Sequence, residues 1–439
     1  MKRLIACFTV FFLITNIAHS LPLTAESWLT ENGMKVVYYK APQVPMVVLK
    51  MGFPAGSAQD EALFGLASVT NQLIGEESSS SDATEIAERF ADVGAQFSTF
   101  ADRTMAGINL KSLSKSDALL PAVDNLANLL SNFHVSEGTF KRVQQQQLVA
   151  IRASQQDANE VANMVFFQSL YGDHPYAHSV DGTLETVSAL TQPQIERFFN
   201  QHYGAKGATL VLVGDLDKKT AEQLATKLSK ALPQAEATYK VNKATPHKNG
   251  RLVKRAFPSS QTIIRMGQLG IDYHSPDMFP LKVGNYILGG GLLVSRLAFE
   301  VREKRGLSYG VGSQFVPMPA IGPFLISLST KQSQADQAIQ VTESVTENFI
   351  KHGPTDQELK EAKQYLVGSF PLSLASNDKI ATMMLRIHFF SLPNDYLLTY
   401  RDKINEVTSE QVRQSMAKQL KPEQMLRVEV GQTSSANNA

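Results

Sequence analysis

TQPQIERFFNQHYGAKGATLVLVG, residues Thr191 to Gly214, aligns without a gap with Thr408 to Gly431, TSEQVRQSMAKQLKPEQMLRVEVG. Ile195 pairs with Val412, Phe199 with Met416, Tyr203 with Leu420, Val211 with Val428 and Val213 with Val430. Each copy reads as an amphipathic helix, a turn and a strand, because apolar residues first recur at helical spacing and then run together. A second pair of segments, Leu63 to Leu73 and Met278 to Leu288, matches at nearly the same displacement. Two matches at one displacement predict a duplicated domain.

Working outward, the first copy covers about 21–232. Met34 to Tyr39 and Val44 to Met51 read as strands joined by a Pro-containing turn. A helix is expected over Glu61 to Gly75, and a second after Asp82, where Glu85 three residues on suggests a capping box and Gly94 a stop. Gln96 to Leu110 returns as two strands, and Ala118 to Phe133, Phe140 to Arg152 and Asn159 to Leu170 read as helices. The polar stretch 233–250, with Pro246 and Gly250, reads as a linker, and 251–432 repeats the plan before a polar tail at 433–439. Hairpins mixed with long helical returns predict an α+β fold used twice, each copy a mixed β-sheet packed with helices.

The chain has 439 residues, of which 43% are hydrophobic and 19% charged, a composition that can bury large cores. Residues 1–20 stand apart: Lys2 and Arg3, an apolar run from Leu4 to Ile17, then Ala18-His19-Ser20, the pattern of a secretory signal peptide. Its removal leaves a nearly neutral chain, which gives no electrostatic case for nucleic acid. The single cysteine, Cys7, leaves with it, excluding disulfides and thiol chemistry from the mature chain. No later apolar run is long enough to span a bilayer, and no Asn-x-Ser/Thr sequon occurs. A periplasmic or secreted location is expected.

The richest motif is Leu288 to Gly310, LGGGLLVSRLAFEVREKRGLSYG. Gly289, Gly290 and Gly291 lead into a helix with Leu293, Leu297 and Val301 at helical spacing, and Gly306 ends it behind the basic run Arg302, Lys304 and Arg305. Tyr309 follows, on what is read as the next strand. Arg302 and Tyr309 can then converge, aiming a guanidinium and a phenol at one acceptor oxygen.

The pattern GGG, SRL, REKxGLxYG resembles the C-terminal half of the pitrilysin-type (inverzincin) zinc metallopeptidases, in the branch that includes mitochondrial processing peptidase. Gly56-Ser57, Tyr171-Gly172-Asp173-His174-Pro175, and His202-Tyr203 followed by Leu212-Val213-Gly214-Asp215 also look like recurring landmarks of that family. The resemblance covers essentially the whole mature chain. It implies a clam-shell with a chamber, and it implies that Arg302 and Tyr309 hold a substrate carbonyl.

In active members the first long helix carries H-x-x-E-H, two imidazoles on one helix face holding zinc and a carboxylate acting as general base. Here Ser68 and Gln72 stand where the imidazoles would be and Asn71 where the carboxylate would be. Hydroxyl and amide oxygens are poor zinc ligands, and Asn cannot take a proton from water. The third ligand of the family, a Glu, aligns roughly with Val149 or Ala150, and 143–153 contains no acid. No metal ligand set is therefore expected in this chain. His174 and His178 sit four apart with Pro175 between them, so helical geometry cannot be assumed for them.

The resemblance thus implies a non-catalytic subunit of a heteromeric zinc endopeptidase. A homologous partner would carry H-x-x-E-H and the zinc, this chain would supply Arg302 and Tyr309, and the substrate would be an extended peptide. The alternative is a structural or peptide-binding protein of the same fold with no proteolytic role. A third reading, a stand-alone enzyme built on His174 and His178, lacks an acid partner.

Overall fold

A computed structural model describes residues 25–79, 81–246 and 250–432; the expected signal peptide and polar tail lie outside the described residues. The first domain runs β1 (Glu26–Leu29), β2 (Lys35–Lys40), β3 (Met46–Phe53), α1 (Leu66–Leu73), a small hairpin of β4 (Glu77–Ser78) and β5 (Ser81–Asp82), α2 (Ala83–Asp92), β6 (Gln96–Ala101), β7 (Ala106–Leu113), α3 (Ser116–Ser131), α4 (Glu137–Ser154), α5 (Ala158–Tyr171), α6 (Leu184–Ala189), α7 (Gln192–His202), β8 (Thr209–Gly214) and α8 (Lys218–Ala231). The second runs β9 (Leu252–Ala256), β10 (Gln261–Leu269), α9 (Met278–Asn285), β11 (Val311–Phe315), β12 (Pro323–Lys331), α10 (Ala335–His352), α11 (Asp356–Ser369), α12 (Asn377–Phe389), α13 (Tyr396–Glu406), α14 (Ser409–Gln419) and β13 (Leu426–Gly431).

Each domain is built on a mixed sheet. The first has the order β1-β2-β8-β3-β7-β6 and the second β11-β12-β10-β13-β9. Only β2·β8 in one and β9·β13 in the other are parallel. The duplicated segments occupy matching places. Thr191 and Thr408 each open a helix with a capping box to the glutamine three residues on, and the strands that follow, β8 and β13, lie inside their sheets. The two-domain α+β plan read from the repeat is the plan of the chain.

The two sheets are buried on both faces, which explains why β3 (MVVLKMGF) and β8 (TLVLVG) do not alternate. One face of the first sheet carries its own helices around Leu49, Met51, Leu126 and Phe199. The other is covered by α12 from the second domain, whose Ile380, Met384 and Leu385 pack on Val37, Val48, Val211 and Val213. The exchange is reciprocal: α5 from the first domain lays Val161, Phe166 and Leu170 against Ile263, Val428 and Val430 of the second sheet. A cation marks each crossing. Lys50 on β3 reaches Asp378 of α12 at 2.8 Å, and Arg265 on β10 is held by Asn163 and Asn159 of α5 at 2.9 and 3.1 Å. The displacement that carries Leu63 to Met278 also carries Lys50 to Arg265 and Asn163 to Asp378. The two locks are thus copies of one ancestral contact.

Local differences from the sequence reading have identifiable causes. The first long helix begins at Leu66 rather than Glu61, because Gly65 is left-handed at φ 95° and the Asp60 carboxylate accepts the N–H groups of Gly65 and Ala67 at 2.8 and 2.7 Å. The segment after the triple glycine is not one α-helix. Tyr286–Gly290 and Ala298–Glu303 are π-helical, with a 3-10 turn at Leu292–Val294 between them, so Leu293 is exposed while Leu297 and Val301 are fully buried. Arg296 anchors this segment to α11, its guanidinium donating to both carboxylate oxygens of Glu358 at 2.7 Å and to the Gly353 carbonyl at 3.1 Å.

Burial of each large apolar side chain on α12 contributes roughly 1.5–3 kcal/mol, more than a half-exposed ion pair can. Met384→Ala is therefore expected to cost about 2–5 kcal/mol, and Asp378→Asn less than about 1 kcal/mol, in urea unfolding followed by circular dichroism. Because each sheet needs the helix lent by the other domain, both variants are expected to unfold in one transition; two separate transitions would contradict the exchange. Burial works to raise the pKa of Glu358, but its bonds from Arg296 and Thr355 prevail and bring it down to about 2. The stability it contributes is complete above pH about 4.5 and is lost as pH falls toward 2. Melting temperature plotted against pH is expected to fall less steeply across that window in Arg296→Gln than in the unaltered chain.

Candidate functional site

Helix α1 packs on the first sheet beside α4, so its inner face meets α4 and the loop before α6. Ser68, Asn71 and Gln72 sit there, Ser68 and Asn71 buried and Gln72 half-buried. Gln72 Nε2 donates to Ser68 Oγ at 3.1 Å and to Gln147 Oε1 at 2.7 Å. Gln147 Nε2 in turn donates to the Asp181 carbonyl at 3.0 Å, and Ser68 Oγ donates to the Asp181 carboxylate at 3.3 Å. Asn71 turns the other way, its Nδ2 donating to the Gly107 carbonyl at 3.3 Å and to the Tyr203 hydroxyl at 3.1 Å. Burial pushes the Tyr203 phenol up, which keeps it neutral.

These residues form a net of neutral amides and hydroxyls, with the exposed Asp181 carboxylate at its edge. Zinc would need several charged or imidazole donors with free lone pairs, and a single carboxylate beside amide and hydroxyl groups tied to one another is not such a set. The residues do not fit the metal. Among the described residues, no group of three or more His, Cys, Asp or Glu is arranged to hold one.

The position aligned with the third ligand needs correction. Val149 is 61% exposed and Ala150 is also exposed, whereas Gln147 is the α4 residue that meets Gln72. The reason is helical phase: Val143, Gln144, Gln147, Leu148 and Ile151 make the buried face of α4. Reading that periodicity, rather than carrying over a spacing, would have found Gln147. Asp60 was also missed. Its carboxylate is 1% exposed, caps the start of α1 and lies 4.0 Å from His178 Nδ1. Burial drives its pKa up to about 8, against the pull of its two N–H bonds. Nothing in the local pattern distinguished it from a surface acid.

His174 and His178 do not form a pair. His174 accepts from the Tyr176 N–H and bonds the Asn242 carbonyl, while His178 bonds the Ser179 carbonyl and stacks on Phe64. Burial pushes the His178 imidazole down. Both rings hold loops together.

Arg302 and Tyr309 do come together. The π-helical turn ends at Gly306 (φ 63°), with Gly306 N–H bonded to the Arg302 carbonyl and Leu307 N–H to the Val301 carbonyl. This closing motif buries Leu307 at the helix end, and Ser308 Oγ then pins the turn to the Ser329 carbonyl at 2.7 Å. Tyr309 is left on the outside of the turn, two residues before β11 rather than on it, with 85% of its surface exposed. The Arg302 guanidinium stands 5.0 Å from the centre of its ring. Neither side chain has a hydrogen-bond or ion-pair partner among the described residues, so guanidinium and phenol are presented together, unspent. No hydrogen bond or ion pair joins them to the net around Gln72.

Comparison with known proteins follows these two features. The model described as insulinase (peptidase family M16) matches residues 35–184, and that described as the peptidase M16 inactive domain matches residues 189–366. A crystal structure of a peptidase M16 inactive domain from Pseudomonas fluorescens superposes with a TM-score of 0.91 at 36% identity, over 95% of this chain and 100% of that one. The non-peptidase homolog YmxG of Helicobacter pylori is 24% identical over 88% of each chain. An uncharacterized zinc protease of Streptomyces coelicolor is 26% identical over 78% of this chain and 75% of its own. Family matches to both halves and a near-complete structural match at this identity lead to one conclusion: the chain belongs to peptidase family M16.

Proposed function

We propose that this chain is the substrate-binding, non-catalytic subunit of a heteromeric zinc metalloendopeptidase. One observation carries the reading: the position of the metal is filled by a net of hydrogen-bonded amides and hydroxyls, while the half-buried Arg302 and the exposed Tyr309 have no hydrogen-bond or ion-pair partner among the described residues. A homologous catalytic subunit with H-x-x-E-H would hold the zinc, and this chain would face it across a shared chamber. There the Arg302 guanidinium and Tyr309 hydroxyl donate to the carbonyl of an extended peptide and stabilise charge as it develops on that oxygen. Within this single chain the domains are interlocked by exchanged helices, so a peptide-enclosing chamber needs a second chain. The assembly would work outside the cytoplasm, as the expected signal peptide implies.

A structural or peptide-binding protein with no proteolytic role is the second reading, favoured by the same amide net. The two diverge on one measurement. Purified alone, the chain is expected to hold no stoichiometric zinc and to cleave no peptide; with its catalytic partner, Arg302→Ala combined with Tyr309→Phe is expected to lower turnover about a hundredfold at unchanged zinc content. Unchanged turnover would leave only the second reading. A further variant tests the geometry of the lost site. Ser68→His, Asn71→Glu and Gln72→His combined with Gln147→Glu are expected to create zinc binding measurable by calorimetry, and the same triple change combined with Val149→Glu is not. Equal affinity in the two sets would show that Gln147 is not the third corner.

A further inference from the structure

Between the domains, on the far side of Arg103 from the amide net, lies a cavity of about 590 Å³. Its walls are largely apolar: Phe100 and Met105 from the first domain, Met318, Leu385 and Phe390 from the second. Two guanidinium groups line it. Arg103 donates through Nε to the Tyr176 carbonyl at 3.1 Å and through Nη2 to the His178 carbonyl at 3.4 Å, and lies 3.8 Å above the Phe167 ring. Its Nη1 has no protein acceptor among the described residues. Arg386, exposed on α12, lies 5.1 Å above the Tyr273 ring, hydrogen-bonds that side chain and forms no ion pair among the described residues.

The other charges around the cavity are already engaged. Lys50 is taken by Asp378 and Asn109, at 2.8 and 3.1 Å. Asp102 is turned into its own loop, where Oδ1 accepts the Thr104 N–H, the Thr104 hydroxyl and the Met105 N–H at 2.6–2.8 Å. Burial presses against the charge of Arg103, and the Asp102 and Asp181 carboxylates relieve it only through space, with no ion pair to either. A sheltered guanidinium with a free edge and no carboxylate in direct contact gains when an anion meets that edge.

We propose that this cavity binds an aliphatic monocarboxylate, its head group on Arg103 and Arg386 and its tail among Met105, Met318, Leu385 and Phe390. Each part of that description excludes something. Few polar atoms line the walls, so a sugar or nucleotide would leave its own hydroxyls and ring nitrogens unsatisfied. A planar carboxylate matches the free edge of a guanidinium, and the Asp102 carboxylate nearby disfavours a dianionic phosphate head. The flexible Met105 and Met318 suit a chain of variable shape better than a rigid ring. Because both domains contribute, an occupant would also bridge the two sheets. The proposal does not depend on the proteolytic reading.

The test uses the mature chain at pH 7 and three probes below their micellar concentrations: decanoate, 1-decanol and decyltrimethylammonium, titrated by calorimetry. Decanoate is expected to bind one to one, with decanol weaker by about tenfold or more and the ammonium compound not binding. Arg103→Gln and Arg386→Gln are each expected to weaken decanoate, and Thr382→Trp, which fills the cavity from the exposed side of α12, to abolish it. Should Arg103→Gln fail to fold, the other two variants decide the matter alone. No decanoate binding, decanol binding as tightly, or decanoate binding unmoved by Arg386→Gln and Thr382→Trp would each overturn the assignment.

Discussion

The exchange of one helix between the two domains is the contact on which the rest of this molecule depends. A mixed sheet with apolar side chains on both faces cannot stand in water with one face bare, and each sheet here has helices of its own on one side only. Helix α12 closes the first sheet through Ile380, Met384 and Leu385, and α5 closes the second through Val161, Phe166 and Leu170. The hydrophobic term dominates at both crossings, while Lys50 and Arg265 fix where each borrowed helix sits. Neither domain is complete without the other, so the chain behaves as one body and offers one outer surface to a partner.

That rigidity bears on the site that was lost. A cluster of imidazoles and carboxylates buried without its ion would carry unpaired charge and unsatisfied lone pairs. In this chain the same space holds Ser68, Gln72 and Gln147, which bond one another and the backbone and carboxylate of Asp181. The replacement is chemically coherent, because uncharged side chains need only hydrogen bonds to be buried, and the one carboxylate among their partners, Asp181, is exposed. The helix that once presented ligands has become a piece of packed interior.

The opposite holds at Arg302 and Tyr309. The π-helical turn, the left-handed Gly306 and the buried Leu307 set two polar side chains side by side, and no hydrogen bond or ion pair among the described residues engages them. A π-turn inside an otherwise packed segment is a local irregularity that often accompanies function. Arg103 and Arg386 present a related situation at the cavity between the domains, where largely apolar walls meet guanidinium groups that form no ion pair among the described residues.

The sequence by itself determined the duplication, the α+β class, the strands β3 and β8 and the Asp82 cap of the helix that follows it, because these rest on local patterns: periodicity, end signals and repeated segments. It also determined that α1 carries Ser68, Asn71 and Gln72 rather than imidazoles and a carboxylate, and the chemistry of those side chains does not depend on where they fold. Only the tertiary structure decided that Gln147, and not Val149 or Ala150, completes the amide net, because a shift of two residues turns a helix to another face. The helix exchange, the capping role of Asp60 and the sheltered Arg103 belong to that second group as well. Each joins residues far apart in the chain, and the contacts that define them come into being only when the two sheets close on each other's helices.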